Sequence, residues 1–258
     1  MTRKLSIAAA TLKDLGPAET VTVAAAAGFD GVGIWFDPDT WTSSVAREVR
    51  ARLDDTGITA LDMEPIILGP DGDPGDRLID AAADIGARHV LVASRLAERD
   101  AVAERFAELC RRAAPAGMKL VLEFLPIFGI RTLDDALAAV RAAAETNSGV
   151  LVDSLHLARS GGSVDEVAAQ PSGTFPYLQV ADAPADPPDP SLPGLLDEAI
   201  NGRSLPGQGG LPLDKLVEAV PGVPLSAELR SAKLFADYPD PLERARAVLA
   251  ACRPLAGS

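Results

Sequence analysis

The stretch Lys119–Asp153, KLVLEFLPIFGIRTLDDALAAVRAAAETNSGVLVD, carries a strand, a helix and a second strand in one pass. Two apolar, β-prone runs, Lys119–Phe124 and Gly149–Asp153, flank Ala136–Ala144, a segment of strong helix formers with an arginine on its outer face. The two runs start 30 residues apart, the length of one βα unit with short loops. The pattern repeats outward, with Leu5–Ala10, Val32–Phe36, Ile58–Glu64 and His89–Ala93 before it, and Tyr177–Ala181 and Val223–Glu228 after it. Successive starts are separated by 27, 26, 31, 30, 30, 28 and 46 residues. Eight such units in 258 residues predict one α/β domain over 1–258, a closed (β/α)8 TIM barrel; six or seven would favour an open doubly wound sheet. Gly28, Gly57 and Gly117 each stand between a helical stretch and the next strand, where a left-handed cap is expected.

Composition narrows the function classes. The chain is 47% apolar and 24% charged, and no run of 18 apolar residues indicates a membrane span or a signal peptide. Cys110 and Cys252 lie far apart in helical contexts and read as buried thiols of a reducing, cytoplasmic compartment. A net charge of −13 without a lysine or arginine run leaves no basic face for nucleic acid. Two segments break the rhythm, Pro65–Asp76 after the third strand and Asp182–Leu211 after the seventh. Both read as long loops on the catalytic face of the barrel.

The later strands end in polar residues set in apolar runs: Glu123 on the fifth, Asp153 on the sixth, Gln179 on the seventh and Glu228 on the eighth. Three carboxylates converging on one barrel mouth repel one another, and burial of each costs several kcal/mol unless it is paired or coordinated. A shared divalent cation removes that difficulty; pairing of each acid with a barrel arginine or lysine is the alternative. An all-oxygen donor set suits Mn2+ or Mg2+, with Co2+ acceptable in vitro, and suits zinc less.

These residues carry a family resemblance. The chain resembles the xylose isomerase-like TIM barrels, the sugar phosphate isomerase/epimerase group, over essentially its whole length. LEFLP around Glu123, the D-x-x-H of Asp153 and His156, LQVADAP with Gln179 and Asp182, the R-x-x-P-G-x-G segment of Arg203, Pro206, Gly207 and Gly209, and LSAELRS with Glu228 occur in the family's order. The resemblance implies a metal held by Glu123, Asp153, Gln179 and Glu228. It also implies Glu123 and Glu228 as an acid/base pair and Arg203 as a clamp on a substrate oxygen. Gln179 stands where many of the family's sugar epimerases carry histidine, and glutamine there occurs in dehydratase-like members.

A metal so held polarises a carbonyl and acidifies the neighbouring C–H; the fate of the resulting enediolate sets the reaction. The leading expectation is an isomerase or epimerase of a small polyhydroxylated carbonyl compound, in carbohydrate metabolism. A dehydratase of a cyclic keto substrate, resembling 3-dehydroshikimate or inosose dehydratase, is the other. His156 is expected near the mouth, orienting a substrate oxygen or moving a proton, unless it only bonds backbone. Trp35, Phe124 and Asp182 are expected to bind substrate, with Phe36, Ile127 and Phe128 lining an apolar mouth. Arg159 and Lys233 are weaker candidates, Glu64 a supporting acid at the end of strand three, and His89 has no role. An endonuclease IV-like enzyme would need a histidine-rich cluster and a basic groove, against two histidines and −13. The expected partner is a small-molecule substrate, with no nucleic acid and no membrane; a homodimer through the catalytic-face loops accords with the resemblance.

Overall fold

The computed structural model describes residues 3–257. Eight parallel strands close into a barrel in sequence order: β1 (Leu5–Ile7), β2 (Gly31–Trp35), β3 (Thr59–Leu68), β4 (His89–Ser94), β5 (Lys119–Glu123), β6 (Ser148–Asp153), β7 (Leu178–Val180) and β8 (Leu225–Ala227). Closure comes from β1 against β8, where Ser6 faces Ser226 and Ile7 faces Ala227. Around the strands run α1 (Pro17–Ala27), α2 (Ser43–Thr56), α3 (Gly75–Ile85), α4 (Arg99–Ala113), α5 (Leu133–Ala143), α6 (Ser154–Arg159), α7 (Val164–Ala168), α8 (Leu192–Asn201), α9 (Leu213–Ala219), α10 (Ala232–Asp237) and α11 (Pro241–Ala256). Gly28, Gly57 and Gly117 take φ of 99°, 70° and 69°, the left-handed caps their positions require.

The large apolar core lies between strands and helices, and both cysteines are buried in it. A separate small cluster, Leu61, Leu91, Val121, Leu151 and Tyr177, fills the barrel interior. Side chains alternate along a strand, so Glu123, Asp153 and Gln179 stand two residues above Val121, Leu151 and Tyr177 in the same inward column. Neighbouring residues face the other way: Phe124 is fully buried in the outer core.

Two expectations about loops are corrected. Pro65–Asp76 is not all loop, because β3 continues through Leu68, and Glu64 lies inside the strand rather than at its end. The β3–β4 register shifts between Met63 and Ile66, leaving Glu64 and Pro65 without ladder partners on β4, so a proline without an N–H is tolerated there. The segment Asp182–Leu211 contains α8, which covers part of the barrel mouth.

Candidate metal centre and active site

Asp153 ends β6 and also caps α6: its Oδ1 accepts the backbone N–H of His156 at 2.9 Å. The D-x-x-H spacing is therefore the spacing of a helix N-cap and the third residue of its first turn. Glu123, Asp153 and Glu228 each offer a carboxylate oxygen within 4.8 Å of the others, and all three are buried or nearly so. The amide oxygen of Gln179 faces Glu123 Oε1 and Glu228 Oε2, 3.3 Å from each. Oxygens so arranged repel unless the amide turns over to donate or a cation stands among them. The donor set therefore fits a hard divalent ion held by Glu123, Asp153, Gln179 and Glu228.

Arg203 supplies the cluster's own countercharge. Its Nη1 lies 2.6 Å from Asp153 Oδ2 and 3.4 Å from Glu228 Oε2, and its Nε donates to Ala199 O on α8 at 3.2 Å. Nη2 is 3.3 Å from His156 Nε2, which in turn is 3.9 Å from Glu123 Oε1. The arginine is thus buried inside the site, joining the carboxylates, His156 and α8.

Burial, then Glu228 and Asp153, push Glu123 well above the usual carboxylate range. Burial likewise pushes Glu228 up to about 7, against the pull of Arg203. Asp153 stays low despite burial because Arg203 and His156 face it. Glu64 is raised by burial and by Asp62 and Glu228, against the Ala10 N–H on its Oε1 at 3.3 Å and the nearby Arg230. His156 falls to about 4, again through burial, so its ring is neutral at pH 7.

These shifts fix the sign of a pH effect in the metal-free protein. A carboxyl raised in the fold stabilises it below the ordinary carboxylate range, and that contribution is lost as pH rises through the folded value, about 7 for Glu228. His89 and His156, each lowered by burial to about 4, act oppositely, but only below their ordinary 6.5. Between about pH 6.5 and 8 the melting temperature of the metal-free protein should therefore fall, by several degrees, and Mn2+ should reverse the fall. A melting temperature flat in pH and indifferent to Mn2+ would contradict the cluster's geometry.

A cavity of about 270 Å3 opens above the cluster, reaching Glu123, His156, Arg203 and Glu228 on one side and Glu64 on another. Trp35, Ile127 and Phe128 line it as expected. Phe124 does not, because it points outward from β5, and Phe36 is in the outer core. Asp182 is also away from the pocket: its carboxylate accepts the backbone N–H groups of Gly207, Gly209 and Leu211 at 2.9, 2.9 and 3.1 Å. A Cβ on Gly209 would sit 2.4 Å from Asp182 Oδ1, which explains the second glycine of the P-G-x-G segment. Arg159 pairs with Glu198 through two contacts of 2.7 Å and pins α8, while Lys233 is an exposed partner of Asp237. His89 bonds Leu61 O at the other end of the barrel.

Sequence reasoning missed Arg95 and Arg230, which both line the cavity. Neither has a carboxylate within 4.0 Å among the described residues; Arg95 lies over the Phe128 ring at 5.7 Å. The signal was present in the alternation, since Ala93 to Arg95 and Glu228 to Arg230 are steps of two from inward positions.

Residues 21–254 match the family model of the xylose isomerase-like TIM barrel. The chain belongs to that family. Among proteins of known structure, the IOLI protein, solved with a binding zinc atom, superposes with a TM-score of 0.85 at 18% identity over 98% of both chains. A D-psicose 3-epimerase solved in the presence of D-fructose gives 0.75 at 15% identity, over 99% of this chain and 100% of that one. These two likenesses concern the fold. In sequence, the chain is 31% identical over 224 residues to a 3-dehydroshikimate dehydratase of Pseudomonas aeruginosa, covering 81% of this chain. It spans only 34% of the length of that protein and of a Pseudomonas putida counterpart. No helix among the described residues is long and apolar enough to cross a membrane.

Proposed function

We propose that this protein is a divalent-metal-dependent dehydratase, a carbon–oxygen lyase, acting on a cyclic hydroxy-keto acid of the 3-dehydroshikimate type. The observation that carries the reading is the pair of guanidinium groups, Arg95 and Arg230, each without a carboxylate within 4.0 Å among the described residues, sharing one cavity with the carboxylate cluster. A neutral sugar would leave Arg95 unanswered and Arg230 facing only the more distant Glu64 and Glu228, whereas a substrate carboxylate meets a planar donor fork. The 31% identity to a dehydratase supports the same choice.

Bound at Glu123, Asp153, Gln179 and Glu228, Mn2+ or Mg2+ (Co2+ as a substitute) would supply Lewis acidity to the substrate carbonyl. Arg203 holds Asp153 ionised and fixes the lid helix through Ala199. Glu228, on the cluster's side of the cavity, accepts the proton from the carbon beside the carbonyl. Glu64, kept protonated by burial, gives a proton to the departing hydroxyl, which leaves as water. His156, neutral and facing the Arg203 guanidinium, orients a substrate oxygen.

Incubation with Mn2+ and 3-dehydroshikimate in D2O tests this directly. The expected result is a conjugated, ultraviolet-absorbing product, and Arg230→Gln should raise KM by about 10- to 100-fold with a smaller change in kcat. Deuterium exchange without loss of water, on neutral ketoses, would instead establish the isomerase or epimerase reaction, which the same cluster can perform.

A further inference from the structure

A second cavity, of about 420 Å3, lies across Trp35 from the catalytic pocket, between the β1–α1 and β2–α2 connections. Its volume is that of a small-molecule site, roughly 300–1,000 Å3. The chain has two tryptophans, and Trp35 and Trp41 both line this space, with Lys13, Leu15, Thr40 and Val45. Lys13 Nζ sits 4.2 Å from the Trp35 ring centroid, a cation–π contact that holds the charge at the cavity wall. Among the described residues no carboxylate lies within 4.0 Å of that ammonium. Asp37, the acid of the lining, has its Oδ1 occupied by the Asp39 N–H at 2.9 Å. Trp41 packs tilted on Phe36 at 5.7 Å and stays partly exposed.

We propose that this cavity binds a ring-bearing carboxylate, its anion on Lys13 and its ring against Trp41. In a chain of net charge −13, an exposed cation set on an aromatic ring, with no carboxylate within 4.0 Å among the described residues, is a place for an external anion. Leu15, Val45 and Trp41 reward burial of the ring. Burial and the nearby Arg230 lower the Lys13 pKa and Glu64 raises it, and a bound carboxylate would act in the same direction as Glu64. This inference goes beyond the proposed dehydration and does not rest on it.

Tryptophan emission provides the readout. Trp35→Phe leaves Trp41 as the sole tryptophan, and Trp41 does not line the catalytic pocket. Titration of that variant with benzoate and with cyclohexanecarboxylate should give a saturable change in emission. Lys13→Gln in the same background should weaken binding about tenfold or more, Lys13→Arg should restore most of it, and benzyl alcohol should bind as weakly as benzoate binds the Gln variant. Arg95→Gln and Glu123→Gln should leave the affinity within about twofold, because they belong to the other cavity. Absence of any saturable change up to about 10 mM would overturn the proposal. So would binding that ignores Lys13→Gln, or binding abolished by Arg95→Gln, which would put the ligand in the catalytic pocket.

Discussion

Replacing Glu228 with glutamine will lower turnover by about a thousandfold at saturating Mn2+ and, without metal, will make the protein harder to melt. The two effects have one cause. Glu228 is one of three carboxylates whose oxygens lie within 4.8 Å of one another in a buried setting, and its carboxyl is pushed to about 7. Without a cation the charge is repelled by Asp153 and poorly solvated, so its removal relieves about 1–3 kcal/mol, or several degrees. In the proposed reaction the same carboxylate is both a metal ligand and the proton acceptor, and its loss removes both roles. Glu123→Gln should behave alike, since Glu123 is raised by the same neighbours. Turnover measured beside melting curves with and without Mn2+ separates the outcomes. Activity within tenfold of the parent, or a metal-free variant that melts earlier, would remove Glu228 from the proposed centre.

Arg203→Met has the largest expected cost in stability, about 3–5 kcal/mol, or on the order of 10 °C. The penalty is not chiefly the lost contact. Asp153 is fully buried, and its countercharge is the Arg203 Nη1 at 2.6 Å, so the variant strands an anion beside two other acids. It also releases the Ala199 and Glu228 carbonyls, which loosens α8 from the end of β8. A double variant with Asp153→Leu should therefore be more stable than Arg203→Met alone, and millimolar Mg2+ should restore part of the single variant's loss by acting as substitute countercharge. Additive single and double losses in urea unfolding would show that Arg203 acts through packing only.

The barrel was legible because its signal is local and repeated. Each βα unit writes its own apolar run, helix and glycine cap, and the observed strands fall on the expected runs; β3 runs four residues further than expected, to Leu68. The inward placement of Glu123, Asp153 and Gln179 was legible for a related reason, since period-two alternation sets them above the interior residues Val121, Leu151 and Tyr177. The same alternation, applied one residue further, sends Phe124 into the outer core, and overlooking it put Phe124 in the pocket. Asp182 failed for a different reason. A carboxylate just past a strand end suggested substrate, but three backbone N–H groups 25 to 29 residues later occupy it, and no local pattern announces a loop that folds back on itself.

Periodicity within about thirty residues was enough to dictate eight staves, one closed sheet and the inward column of oxygen donors, because hydrophobic alternation and capping act between near neighbours along the chain. What surrounds those side chains was settled only when distant segments met: Arg203 on Asp153, α8 drawn over the mouth, Arg95 and Arg230 brought into one cavity, and Lys13 laid on Trp35. Charge pairing and cavity shape depend on which groups exclude water together, and that is a property of the packed molecule.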